Sequence, residues 1–140
     1  MKQTFSTHWK SSNQPRKQRK FIANAPAHIR HRFLSAHLSK ALKEKYSKRN
    51  LPLRKGDEVL VMRGAFKKKK AKVVSVDLKN SRVALESIQR TKKDGSKVNV
   101  FFHPRVLLIQ ELNLDDKERV SAVNRKAAKP AVKTEIKENK

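Results

Sequence analysis

The stretch from Leu53 to Val76, LRKGDEVLVMRGAFKKKKAKVVSV, sets two short apolar runs either side of a loop that ends in four consecutive lysines, Lys67–Lys70. Alternation at a period of two demands a sheet with one covered face, and the Arg63-Gly64 turn joins the runs as a hairpin. The charge is therefore carried on an ordered element, and the commonest ligand for such a surface is nucleic-acid phosphate. Arg54-Lys55-Gly56-Asp57-Glu58-Val59 supplies a turn and a charged strand start immediately before the alternation.

The rest of the composition bears on how large that sheet can be and what it faces. A formal net charge of +24 on 140 residues, with 36 Lys and Arg against 12 Asp and Glu, exceeds what solubility requires and calls for a polyanion. The charge is uneven: residues 1–50 carry 13 basic and one acidic side chain, and residues 51–112 carry 15 and six. With 36% apolar residues, the chain supports one small core of about 60 residues. One domain with basic arms is expected. Without cysteine, disulfides and thiolate metal sites are excluded. The first twenty residues lack a signal-peptide core and no 18 apolar residues run together, so neither secretion nor membrane insertion is expected.

Four segments follow. Residues 1–27 form a basic N-terminal arm, too polar to order in isolation. Residues 28–50 read as a basic amphipathic helix: Ile29, Phe33, Leu34, Leu38, Ala41, Leu42 and Tyr46 recur at helical spacing, and Asn50-Leu51-Pro52 stops it. Residues 51–112 shorten to a period near two, with strands expected at 57–62, 71–77, 82–88, 97–102 and 105–109. Lys79-Asn80-Ser81 and Asp94-Gly95 supply tight turns. The fold class is mainly β, a small SH3-like barrel of five strands. Residues 113–140 form a charged tail, partly helical, with Asp115 and Glu118 capping a helix to about Arg125 and disorder beyond Lys129-Pro130.

Several blocks resemble the KOW-containing large-ribosomal-subunit proteins, called L-twenty-four in bacteria and L-twenty-six in eukaryotes. They are PRKQRK (15–20), APAHIRHRFLSAHLSKALKEKY (25–46), LRKGDEV (53–59), Arg63-Gly64, Asp94-Gly95-Ser96 and His103-Pro104. The resemblance covers residues 15–112. The KOW loop by itself is shared with transcription elongation factors; the N-terminal blocks look like the archaeal and eukaryotic ribosomal form. The family loop reads G-x-F-K-G-x-x-G-K-V, and here Lys68 and Ala71 stand at its second and third glycines. Either position can require positive φ, which costs a non-glycine residue about 1 kcal/mol, so the loop's path is left open. Arg105-Val106 likewise replaces the Ser-Asn that often follows His103-Pro104.

The resemblance implies a structural constituent of the large subunit that binds ribosomal RNA, supports assembly, and lies near the 5′ part of that RNA and the polypeptide exit. Neighbouring ribosomal proteins and factors at the exit are the implied protein partners; no homo-oligomer is expected. It would work on cytoplasmic ribosomes, with nucleolar assembly in a nucleated cell. The RNA-binding candidates are Arg16, Lys17, Arg19 and Lys20 in the arm; Arg30 and Arg32 in the helix; Arg54 and Lys55 before the first strand; Arg63, Lys67, Lys68, Lys69, Lys70 and Lys72 around the loop; and His103.

Each has a plainer reading. The lysine run could be a solvated charge cluster, but the one-sided charge and the hairpin setting favour phosphate. The arm cluster serves equally as a nuclear import signal. Trp9 and Phe21 either stack on unpaired bases or dock on protein. The helix could lie on a membrane, yet its modest apolar face favours the barrel or RNA. His28 and His31, without Cys or nearby carboxylates, do not make a metal site, and no cofactor is expected. No nucleophile-base pattern or paired acids in an apolar setting occurs, so no catalysis is expected. The rival function is a KOW-type transcription elongation or RNA-chaperone factor, disfavoured because residues 1–50 are too short and basic for a polymerase-binding domain. A histone-like charge neutraliser leaves the strands unexplained.

Overall fold

A computed structural model describes residues 5–6 and 12–125. In chain order the elements are α1 (Pro15–Asn24), α2 (Ala27–Phe33), β1 (Ser35–Leu38), α3 (Lys40–Tyr46), β2 (Asn50–Pro52), β3 (Glu58–Val61), β4 (Lys70–Asp77), β5 (Arg82–Thr91) and β6 (Lys97–Phe102). A 3-10 turn (Pro104–Val106), β7 (Leu107–Glu111) and α4 (Lys117–Asn124) complete them. The strands form one sheet in the order β2-β1-β7-β3-β4-β5-β6, antiparallel except for the parallel β1–β7 pair. Buried side chains from both ends of that order, Leu34, Ala36 and Leu38 on one side and Val83, Leu85 and Phe102 on the other, belong to a single apolar cluster. The sheet therefore curls around its own core in the manner of an SH3-like KOW barrel.

The five expected strands are β3 to β7. The other two arise where the sequence predicts a helix: residues 28–50 are not one amphipathic helix but helix, strand, helix and strand. Leu34, Leu38 and Leu42 satisfy a helical period, but Ala36 would then face away from Leu34 and Leu38. In the structure Leu34, Ala36 and Leu38 are all buried, at 0%, 1% and 0% exposure, while the backbone of β1 pairs with β2 and β7. Each buried leucine contributes about 1.5–3 kcal/mol, against helix-propensity differences below about 0.7 kcal/mol per residue. Ser39 then caps α3, its hydroxyl accepting from the Leu42 amide. The arm is also revised. Residues 15–24 form α1, with Pro15 at its first turn and no buried residue, held through Phe21 against Phe33 with ring centroids 6.0 Å apart.

The helix expected to run to about Arg125 forms as α4. Asp116, one residue later than expected, caps α4 by accepting from the Glu118 amide at 2.9 Å, and Arg119 and Val123 are buried. The disorder expected beyond Lys129-Pro130 lies outside the described residues. Arg119 donates to Asp57 Oδ1 at 2.5 Å and Oδ2 at 2.7 Å, with only 6% and 0% of the two side chains exposed. Asp57 also accepts from the amides of Arg54 (2.9 Å) and Asn113 (3.0 Å). Its neighbour Gly56 has φ +90°, and a Cβ there would lie 2.7 Å from Asn113 Nδ2. Any side chain at that point of the turn before β3 is therefore strained, and glycine fits it best.

Both predicted turns form. Asp77 accepts from the amides of Lys79 and Asn80 and from Asn80 Nδ2; the Asn80 side chain first, then its amide, holds the carboxyl below its ordinary value. Asp94 is lowered in the same way by the Ser96 hydroxyl and amide. These turn bonds are therefore complete above the ordinary carboxylate range and are lost as pH falls through the lowered values.

Replacing Arg119 with Met is expected to cost about 3–5 kcal/mol, because a buried carboxylate loses its partner. Asp57→Leu combined with Arg119→Met is expected to recover little, since the Arg54 and Asn113 amides are left unsatisfied at about 1–3 kcal/mol each. Urea midpoints check both, and a loss below about 1 kcal/mol for Arg119→Met, the range of a surface pair, would count against this role.

Candidate nucleic-acid interface

The lysine loop is built by the strands on either side of it. Val61, the last residue of β3, donates its amide to the Lys69 carbonyl at 2.9 Å and accepts from the Lys68 amide at 2.8 Å, so the loop closes on a reciprocal pair. Inside it the Lys67 amide reaches the Gly64 carbonyl at 3.1 Å and the Lys69 amide reaches the Phe66 carbonyl at 3.2 Å. Phe66 anchors the loop from below, edge-on to Phe102 with centroids 5.9 Å apart, and Lys69 Nζ lies 5.3 Å from the centre of the Phe66 ring. Lys68 has φ +70°, so it keeps the left-handed turn that glycine ordinarily supplies. Ala71 is an ordinary strand residue opposite Val59 in the β3–β4 register.

Arg63, Lys67, Lys68, Lys69, Lys70 and Lys72 are all exposed. Among the described residues the ion pairs are Arg54–Asp116 and Arg119–Asp57, so none of the six has a carboxylate partner there. Glu58 stands opposite Lys72 in the register without forming a pair. Like charges held together by backbone bonds, without carboxylate partners among the described residues, give this end of the barrel a concentrated positive potential.

The other candidates divide. Arg16, Lys17, Arg19 and Lys20 are exposed on α1. Arg16–Arg19, Arg16–Lys20 and Lys17–Lys20 are like-charged neighbours three or four residues apart, each destabilising an isolated helix by about 0.2–0.5 kcal/mol. Phosphate between them would reverse that sign. Arg32 and Lys55 are exposed and unpaired among the described residues. Arg30 is committed to the protein: Nε donates to the Ala25 carbonyl at 2.8 Å and Nη2 to the Ala23 carbonyl at 2.7 Å, clasping the end of α1. Arg54 is bonded to Asp116. His103 accepts from the Arg105 amide at its Nδ1, 3.2 Å away, and so caps the 3-10 turn; that turn is what Arg105-Val106 forms after His103-Pro104. Phe21 packs on Phe5 at 4.9 Å as well as on Phe33, and Trp9 lies outside the described residues.

Two features escape a reading of the sequence. Residues 89–99 of the β5–β6 hairpin are exposed throughout, presenting Arg90, Lys92, Lys93 and Lys97 on a two-stranded ribbon whose pairing shifts register between Ala84 and Gln89. Their density around Asp94-Gly95 is the available signal. The second is the Asp57–Arg119 pair, whose members lie 62 residues apart, and no local pattern marks it. Among the described residues no group of three or more His, Cys, Asp or Glu is placed to hold a metal ion. No described helix is long and apolar enough to cross a membrane.

Comparison with known proteins identifies the relatives of this chain. The large ribosomal subunit protein uL24 of Methanosphaera stadtmanae is 49% identical over 115 residues, which is 82% of this chain and 98% of that protein. Its counterpart in Korarchaeum cryptofilum is 45% identical over 118 residues, 84% and 90% of the two chains. That of Sulfolobus acidocaldarius is 43% identical over 115 residues, 82% and 86%. The family model for the eukaryotic ribosomal proteins L-twenty-six and their archaeal L-twenty-four counterparts matches residues 12–126, from just before α1 to just after α4, and the chain belongs to that family.

Proposed function

We propose that this protein is a structural, non-catalytic constituent of the large ribosomal subunit that binds ribosomal RNA and supports subunit assembly near the polypeptide exit. The observation that carries the reading is the lysine loop: a fixed hairpin end whose cations have no counter-charge among the described residues. Positive side chains at fixed positions lower the repulsion between adjacent RNA helices and release counterions, while the barrel's shape selects the site. RNA helices are recognised mainly through backbone, 2′-hydroxyl and shape, so lysines suffice and base-reading side chains are not required. The RNA-contacting set is Arg16, Lys17, Arg19 and Lys20 on α1, Arg32, Lys55, Arg63, Lys67–Lys70, Lys72 and the outward Nε2 of His103. Arg30 and Arg54 contribute by positioning α1 and the turn before β3. The family assignment and the names of the relatives support the ribosomal setting.

Sedimentation of a native lysate at moderate and high salt tests the setting. Co-migration with large subunits at both salts is expected; migration with RNA polymerase, or loss to the free fraction at modest salt, overturns it. The loop is tested separately. Replacing Lys67, Lys69 and Lys70 with Ala is expected to reduce the log–log salt slope of binding to the cognate RNA fragment by about two to three. An unchanged slope would place these lysines in solvent.

A further inference from the structure

A groove runs between α1 and the β4–β5 turn. One half, of about 580 Å³, is walled by Phe21 and Ile22 of α1 and Phe33 of α2 and edged by Gln18, Ser81 and His103. The other half, of about 390 Å³, is lined by Arg19, Ala23 and Arg30. Ile22, Lys79 and Asn80 line both halves, which makes them one continuous surface. Pockets of roughly 300–1,000 Å³ with an apolar wall and a few polar groups take ligands the size of a nucleotide.

Resting on the RNA-binding reading, we infer that this groove seats one unpaired RNA nucleotide, its base in the aromatic half and its phosphate in the half carrying Arg19 and Lys79. The apolar wall is unusually open for an aliphatic side chain: Ile22 is 49% exposed. Around it stands an unspent set of hydrogen-bonding groups. Gln18 donates Nε2 to the Ser12 carbonyl, leaving Oε1 as an acceptor. Asn80 donates Nδ2 to Asp77, leaving Oδ1. The Ser81 hydroxyl has no partner among the described residues, and His103, whose Nδ1 is used within the chain, presents Nε2. Donors and acceptors in this mixture match the edge of a base, which carries both.

Charge selects the nucleotide over an apolar peptide side chain. No carboxylate lines either half; Asp77 is beside the groove but is occupied by Lys79 and Asn80. Arg30 spends Nε and Nη2 on α1 and keeps Nη1. The groove is also prepared in advance, since the Phe21–Phe33 contact and the Arg30 clasp fix α1 on one side and the Asp77-capped turn fixes the other. Little ordering cost remains to be met on binding.

The test uses the full chain and fluorescein-labelled heptauridylate, alongside a heptamer of equal charge whose three central residues are abasic. Anisotropy at fixed salt is expected to show about five- to tenfold tighter binding of the oligomer with bases. Ile22→Ala and His103→Ala are expected to shrink that ratio towards one at unchanged salt slope. Lys67→Ala with Lys69→Ala and Lys70→Ala is expected to lower the slope and leave the ratio intact. Crosslinking with a 4-thiouridine heptamer is expected to mark Phe21, Ile22 or His103. Equal affinities for the two oligomers, a ratio that survives Ile22→Ala and His103→Ala, or crosslinks confined to other residues overturns the groove alone and assigns it to a protein neighbour. Failure of the chain to bind either oligomer, together with its absence from large subunits, overturns the RNA-binding reading as well.

Discussion

The Asp57 carboxylate is fully buried, and the groups that make its burial tolerable come from three separate places in the chain. The Arg54 amide comes from its own turn, the Asn113 amide from the segment after β7, and the guanidinium from Arg119 in α4. Arg119 also donates to the carbonyls of Asn113 and Pro52. One charge pair therefore ties β2, the start of β3, the end of β7 and the C-terminal helix to a single point. A bare carboxylate could not remain charged there, and a bare guanidinium could not remain buried. Nearby, the Gly56 amide donates to the Val73 carbonyl and the Val73 amide to the Asp57 carbonyl, which fixes the position of β4 relative to β3. The lysine loop joins those two strands, so its geometry descends from this point.

Rigidity matters because of what the loop carries. Its cations, without counter-charges among the described residues, repel one another, and a flexible loop would relieve the repulsion by spreading. Here the reciprocal Val61–Lys69 and Lys68–Val61 bonds and the Phe66 anchor hold them in place. The same logic appears on α1, where like charges stand one turn apart on a helix with no fully buried residue, held through Phe21 against Phe33. Stability is spent inside the barrel so that charge can be concentrated outside it, and under the proposed function an RNA phosphate backbone would supply the anions.

Much of this is legible in the sequence. The β3–loop–β4 unit, the two turns and the mainly-β class follow from alternation, glycine and asparagine placement, and lysine density. The segment at 34–38 misleads because Leu34 and Leu38 satisfy two periods at once, and only the partner strands β2 and β7, the second of them far along the chain, settle between them. The bonds of Arg30 to the end of α1 and of Arg54 to Asp116 are not legible in the sequence, because charge alone does not reveal a carbonyl or carboxylate of the same chain close by. Arg119 carries no local signal at all. The departure at Lys68 is mild, since the backbone keeps its left-handed turn and charge is gained without loss of shape.

The central claim is that the charged loop is ordered in the free protein. Amide hydrogen exchange of the free protein tests it at the Val61 and Lys68 amides, which close the loop. Protection comparable to that of core amides such as Val59 is the result this account predicts. Exchange of the Lys68 amide at the rate of an unstructured chain, with the core still protected, would contradict it.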